Sequence, residues 1–197
     1  MRYRFDLHVH SDRSPDSVIS PKLILTRARE LGLNGFSVTD HDAYTEIGSP
    51  YEDLIAVPGM EITIEDINAH ILAVGIQGPV RTGLDLHETM DMIHDLNGVS
   101  ISPHNFSSKE GFPALNDRIY TADHLDGIEV TSPRDHVDNL LARKAAGSLG
   151  LARVGGSDAH HPSEIGYGFT VTRDPVYSVD DLMDLIRRRK TDGMIRY

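Results

Sequence analysis

Short apolar runs alternate along the chain with stretches in which apolar residues recur every three or four positions. The short runs predict strands at 3–9, 35–38, 54–57, 69–75, 99–101, 127–130, 152–154 and 169–171. Several are continuously apolar, as in strands covered on both faces. The helical stretches between them have readable ends. Ser20-Pro21 offers an N-cap and a first-turn proline, Ile24, Ala28 and Leu31 keep one face, and Gly32 closes the helix. Asp85 and Glu88 form the pattern of a capping box ahead of Leu86, Met90 and Ile93, with Gly98 at the end. A third helix is expected over 135–149, with Leu140, Leu141, Ala145 and Leu149 inward. A fourth starts at Ser178 and carries Leu182, Leu185 and Ile186, and its basic run 187–190 suits the negative end of the helix dipole.

Strand-then-helix alternation predicts an α/β protein with a mainly parallel sheet. About seven such units can close into a TIM-like barrel, in which reactive residues gather at the C-terminal ends of the strands. No repeat or Pro/Gly/Ser-rich linker interrupts the pattern, so residues 1–197 read as a single domain.

Composition narrows the chemistry. No stretch approaches the ~18 apolar residues of a membrane span. No apolar leader follows Arg2, and a cytoplasmic protein is expected. Cysteine is absent, which excludes disulfides, thiolate metal ligands and a cysteine nucleophile. The net charge of -11 argues against broad capture of long nucleic acid. Eleven histidines among many carboxylates favour divalent ions held by nitrogen and oxygen ligands.

The candidate ligands follow the strands. The first strand runs through Asp6-Leu7-His8-Val9-His10-Ser11, and a spacing of two puts both imidazoles on one face. Thr39-Asp40-His41-Asp42 ends the second and Pro58-Gly59-Met60-Glu61 the third. His70 opens the next apolar run, where a hydrogen-bonded core histidine is the plainer reading of that residue taken alone. Ser102-Pro103-His104-Asn105 ends the fifth, and Ser157-Asp158-Ala159-His160 repeats the spacing of two near the seventh.

This ordered set resembles the PHP (polymerase and histidinol phosphatase) superfamily, with motifs spread over residues 6 to 160. The resemblance implies a distorted (β/α)7 barrel with a site for two or three divalent ions, Mn2+, Zn2+ or Fe2+. It implies that His8, His10, Glu61 and Asp158 hold a first ion. Glu61 would bridge to a second, held also by His70 and His104, and Asp16, His41 and His160 would hold a third. This chain reads Pro103-His104-Asn105 where many members read His-Pro.

The expected activity is hydrolysis of a small phosphorylated metabolite or short nucleotide by a hydroxide activated at the metal centre. Glu61, His41 and Asp158 are its catalytic candidates, with His41 or a metal-bound water as the proton source for the leaving alkoxide. Arg134 is the best-placed cation for a substrate phosphate, with Lys109 and Arg118 behind it, although each also reads as a surface charge. Asp40 and Asp42 either orient ligand imidazoles from behind or cap a local turn. Glu129, at the end of the sixth strand, is expected near the barrel mouth. His87 and His94 share a helix face away from the strand ends, and His124, His136 and His161 lie outside the motifs. A nuclease, an amidohydrolase-type C–N hydrolase and a non-catalytic metal-binding module are the competing readings. The oligomeric state is open.

Overall fold

In a computed structural model, which describes residues 2–47, 53–107, 112–131 and 136–196, nine strands form one sheet in the order β7-β6-β5-β4-β3-β2-β1-β8-β9. They are β1 (Tyr3–Val9), β2 (Gly35–Val38), β3 (Ile55–Ile64), β4 (Ala69–Val74), β5 (Val99–Ser102), β6 (Gly127–Glu129), β7 (Ala152–Val154), β8 (Gly168–Thr172) and β9 (Asp192–Ile195). The fold is α/β, with a nearly closed barrel-like sheet.

The sheet is less parallel than the alternation predicts. β1 to β3 and β5 to β7 run parallel, but β4 is antiparallel to both neighbours, and so are β1–β8 and β8–β9. The β3–β4 link is a single 3-10 turn, Glu65–Ile67, closed by Asn68 with φ 47. A connection that short admits only a hairpin, because a parallel crossover needs a dozen or more residues. β3 also runs past the expected end at Val57, through Pro58 and Gly59 to Ile64. Gly59 permits this: a Cβ there would lie 2.5 Å from Ser37 Oγ. Glu61 therefore projects from within a strand, not from the loop after it.

The two ends of the sheet are joined by side chains. Thr170 Oγ1 donates to Gly155 O at 2.8 Å and accepts from Gly155 N at 2.8 Å, and Thr191 Oγ1 donates to Arg153 O at 3.0 Å. β9, which the sequence reading lacks, is a half-exposed edge strand without an apolar run.

Four α-helices pack on this sheet: α1 (Pro21–Glu30), α2 (Leu86–Asp95), α3 (His136–Leu149) and α4 (Val179–Arg187). The Asp85–Glu88 capping box is formed, and Ser178 and Asp181 make a second ahead of α4. Ser20 stands at the start of α1 but its side chain makes no cap bond, and α2 ends on Asn97 at φ 61, one residue before Gly98. The inward face of α3 differs from the expected one. Leu140 and Leu141 are 70% and 43% exposed, while Ala142, Ala145 and Ala146 are buried. The alanines let the helix axis approach β6 and β7 closely, which turns the leucine pair outward. α4 packs Leu182, Met183, Leu185 and Ile186 against Phe5, Val74 and Val99, at the end of the sheet away from His8. Among the described residues no helix is long and apolar enough to cross a membrane.

Candidate metal centre

Asp6 and His8 stand on β1 and His10 directly after its end, and all three are fully buried. Asp6 accepts from the backbone N–H of Ser157 at 2.9 Å and of Gly166 at 2.7 Å, which ties the 156–166 segment to β1. Its burial pushes the carboxyl up to about 6 against those bonds. Asp158 is thereby held opposite the two histidines, in a left-handed conformation at φ 52. His41 is placed by a bridge to β3, in which Glu61 N donates to Asp40 O at 3.1 Å and Asp42 N to Glu61 O at 2.8 Å.

The carboxylate of Glu61, 1% exposed, lies at the centre. Its Oε2 faces His8 Nε2 at 3.4 Å, His10 Nε2 at 3.2 Å and His41 Nδ1 at 3.2 Å. Its Oε1 faces His70 Nδ1 at 3.0 Å and His104 Nε2 at 3.2 Å. Asp158 Oδ1 lies 3.3 Å from His8 Nε2 and 3.4 Å from His10 Nε2, which are 3.1 Å from each other. Ligand atoms about 2.1 Å from a common ion in octahedral or tetrahedral geometry stand ~3.0–3.4 Å apart. The spacings of His8, His10, Glu61 and Asp158 fall in that range, so this donor set fits a divalent ion. Asp16 Oδ2 faces His41 Nε2 at 3.4 Å and His160 Nε2 at 3.2 Å, with His10 beside them.

All nine expected ligands therefore meet in one cluster. His41 stands between groups, one nitrogen toward Glu61 and the other toward Asp16. His104, not a neighbour, is the residue of its turn that reaches Glu61, at φ 31. His70 lies in the cluster, where its Nδ1 is hydrogen-bonded to the buried Glu61 at 3.0 Å.

Hydrogen bonds behind the ligands set their tautomers. Ser14 Oγ donates its single proton to Asp40 Oδ1 at 2.9 Å, so it accepts from His10 Nδ1 at 3.0 Å and leaves Nε2 free to coordinate. His160 Nδ1 donates to Asp158 O at 2.9 Å with the same result. Asp40 also accepts from Ser11 N and Ser11 Oγ and from Thr45 Oγ1. It thus fixes the loop after β1 and reaches His10 through Ser14. Asp42 instead accepts from Thr63 N at 2.9 Å and Oγ1 at 2.7 Å, pinning its turn to β3. No residue pattern marks Ser14, four positions after His10, for this task.

Without cations the cluster holds protons in their place. Burial opposes the charge on Glu61, yet His8, His10, His104 and His70 keep its carboxyl well below the usual range. Burial likewise opposes charge on His10, but Asp158 and Glu61 outweigh it and push the imidazole up to about 9. Burial and the neighbouring His10 and His70 lower His41 despite the pull of Glu61.

The cluster opens into a cavity of about 410 Å³ walled by Phe112 and Pro113 on one side and His160 and His161 on the other. Among the described residues lining it there is no lysine or arginine. Arg118 is exposed away from it, and Arg134 and Lys109 lie outside the described residues. His87 is exposed, while His94 pairs with Asp126 and His124 with Asp91 on the outer surface.

The sequence matches the PHP domain family over residues 6–150 and the family described as PHP-associated over residues 136–191. It is 31% identical over 153 residues to the uncharacterized protein MJ1587 of Methanocaldococcus jannaschii, covering 70% of this chain and 87% of that one. The fold is similar to a two-domain protein of Bacteroides vulgatus described as containing a predicted PHP-like metal-dependent phosphoesterase. The TM-score is 0.78 at 18% identity, over 100% of this chain and 65% of that protein. It is also similar to endonuclease Q, solved with a 27-mer duplex bearing an abasic lesion at its active site, at TM-score 0.73 and 17% identity over 98% of this chain and 58% of the nuclease. The chain thus spans under two thirds of either solved protein. At these identities the structural likenesses speak for the fold, a distorted TIM-type barrel. Matched by the PHP domain family along most of its length, the chain belongs to that family of metal-dependent hydrolases.

Proposed function

We propose that residues 1–197 form one phosphoesterase domain that hydrolyses a small phosphorylated metabolite or short nucleotide with two or three divalent ions, Mn2+, Fe2+ or Zn2+. The observation that carries this reading is the split of the Glu61 carboxylate, with Oε2 toward His8, His10 and His41 and Oε1 toward His70 and His104. A buried carboxylate so divided suits a bridge between neighbouring cations. When bound, such ions neutralise phosphoryl oxygens and make water a competent nucleophile near neutral pH.

The chain supplies the rest. Glu61 and Asp158 give the charge that holds the ions, and His8 and His10 complete the first set. His70 and His104 complete the second, and Asp16 and His160 the outer one. His41, with one nitrogen toward Glu61 and the other toward Asp16, suits a ligand as well as a place beside the leaving group. The cavity of about 410 Å³ accommodates a small molecule. Phe112 and Pro113 offer an apolar wall for the leaving group.

A nuclease is the second reading, favoured by the likeness to endonuclease Q. The net charge of -11 weighs against it. The test is turnover of the metal-loaded protein on aryl, sugar and nucleoside monophosphates against oligonucleotides. The proposal expects the monoesters to be cleaved, and cleavage to vanish in Glu61→Ala and His8→Ala variants that keep their circular dichroism. Undiminished hydrolysis in those variants, or cleavage of oligonucleotides alone, contradicts it.

A further inference from the structure

Glu129 ends β6 beneath the cluster, 3% exposed, and belongs to none of the three ligand groups. Its Oε1 lies 3.5 Å from His8 Nδ1, and its Oε2 accepts from the backbone N–H of His104 at 3.3 Å. His8 Nδ1 is buried and makes no hydrogen bond, and the Glu129 carboxylate faces it at 3.5 Å. The opposite nitrogen of the same ring, Nε2, faces Glu61 and Asp158. The fold makes room for the contact: a Cβ on Gly156 would lie 2.7 Å from Glu129 Oε1 and 2.3 Å from His8 Cβ.

From this geometry we infer that Glu129 is a positioning residue of the metal centre. It holds the proton of His8 on Nδ1, so that Nε2 presents its lone pair to the first ion, and it anchors the turn that carries His104. The inference rests on the metal-centre reading above. A carboxylate behind a ligating imidazole fixes ring and tautomer and raises ligand basicity, and its loss typically costs 10–100-fold in affinity. One carboxylate thereby steadies a ligand from each of the two sets that share Glu61, which also explains a buried acid at a strand end outside the three ligand groups.

The experiment is Mn2+ binding to the full chain, read by electron paramagnetic resonance of free Mn2+, for the wild type, Glu129→Gln, Glu129→Ala, His8→Ala and the His8→Ala/Glu129→Ala pair. Gln keeps an acceptor for Nδ1–H without the charge. The tightest site is expected to weaken about 10-fold in Glu129→Gln and about 100-fold in Glu129→Ala. At that site Glu129→Ala should cost less once His8 is gone, the remainder being its hold on the His104 turn, whereas a merely structural role would cost the same in both backgrounds. Should Glu129→Ala fail to fold, the isosteric Glu129→Gln alone decides. Unchanged affinity in Glu129→Gln and Glu129→Ala, or losses that add in the double variant, overturn the inference while leaving the metal centre standing. Absence of Mn2+ binding by the wild type overturns both.

Discussion

Five imidazoles from four segments of the chain face the carboxylate of Glu61, each within 3.4 Å. Removing that charge leaves buried imidazoles with little to bind or to bind them. Glu61→Gln should retain the fold and lose at least ~100-fold in metal affinity, measured by equilibrium dialysis and metal analysis. Protons compete for the same atoms. Because His10 is held at about 9 against an ordinary 6.5, the metal-free protein has stability that is full below about 6.5 and lost as pH rises through about 9. Its denaturant midpoint should fall over that interval, whereas metal affinity should climb across it as protons leave. A midpoint that rises, or an affinity flat in pH, would contradict this. The candidate ligands are legible in the sequence through the ordered motifs, and the His8–His10 pair also because a strand makes alternate side chains neighbours. The residues behind them are not: Ser14 and Asp40 reach His10 through a loop whose path only the folded chain sets.

Among the elements, the starts of α2 and α4 follow local sequence rules, whereas the Ser20 cap, the buried helix faces and the strand limits do not. Asp85 with Glu88 makes the bond pair its spacing predicts, because capping depends on four consecutive residues alone. Replacing Ser178 by Ala in the corresponding box of α4 should cost about 1 kcal/mol in urea unfolding. The outward leucines of α3 show the other case, since which stripe of a helix is buried depends on how near the sheet lets it come. Leu140→Glu is expected to change stability by no more than about 0.5 kcal/mol. Ala145→Leu, against the sheet, should cost about 1–3 kcal/mol by overpacking, and the same urea titrations decide. The extension of β3 past Val57 is hidden for a similar reason. Pro58-Gly59 reads as a stop, yet Gly59 is needed where Ser37 and Ala73 crowd the strand.

At the scale of the whole molecule, the barrel sets one end aside for chemistry. α4 and its apolar residues fill the end away from His8, while buried carboxylates and imidazoles occupy the other. Such a polar end is costly without cations, because paired buried charges lose several kcal/mol of hydration each. Metal at 100 times its dissociation constant should therefore stabilise the fold by about 2.7 kcal/mol. That is a rise of roughly 5–10 °C in Tm, reversed by a chelator. The most direct measurement is anomalous diffraction from crystals grown with Mn2+. The account predicts at least two peaks about 3.5–4 Å apart, one contacting His8, His10 and Asp158, the other His70 and His104, with Glu61 touching both. A map in which no peak contacts more than one of these residues would contradict it.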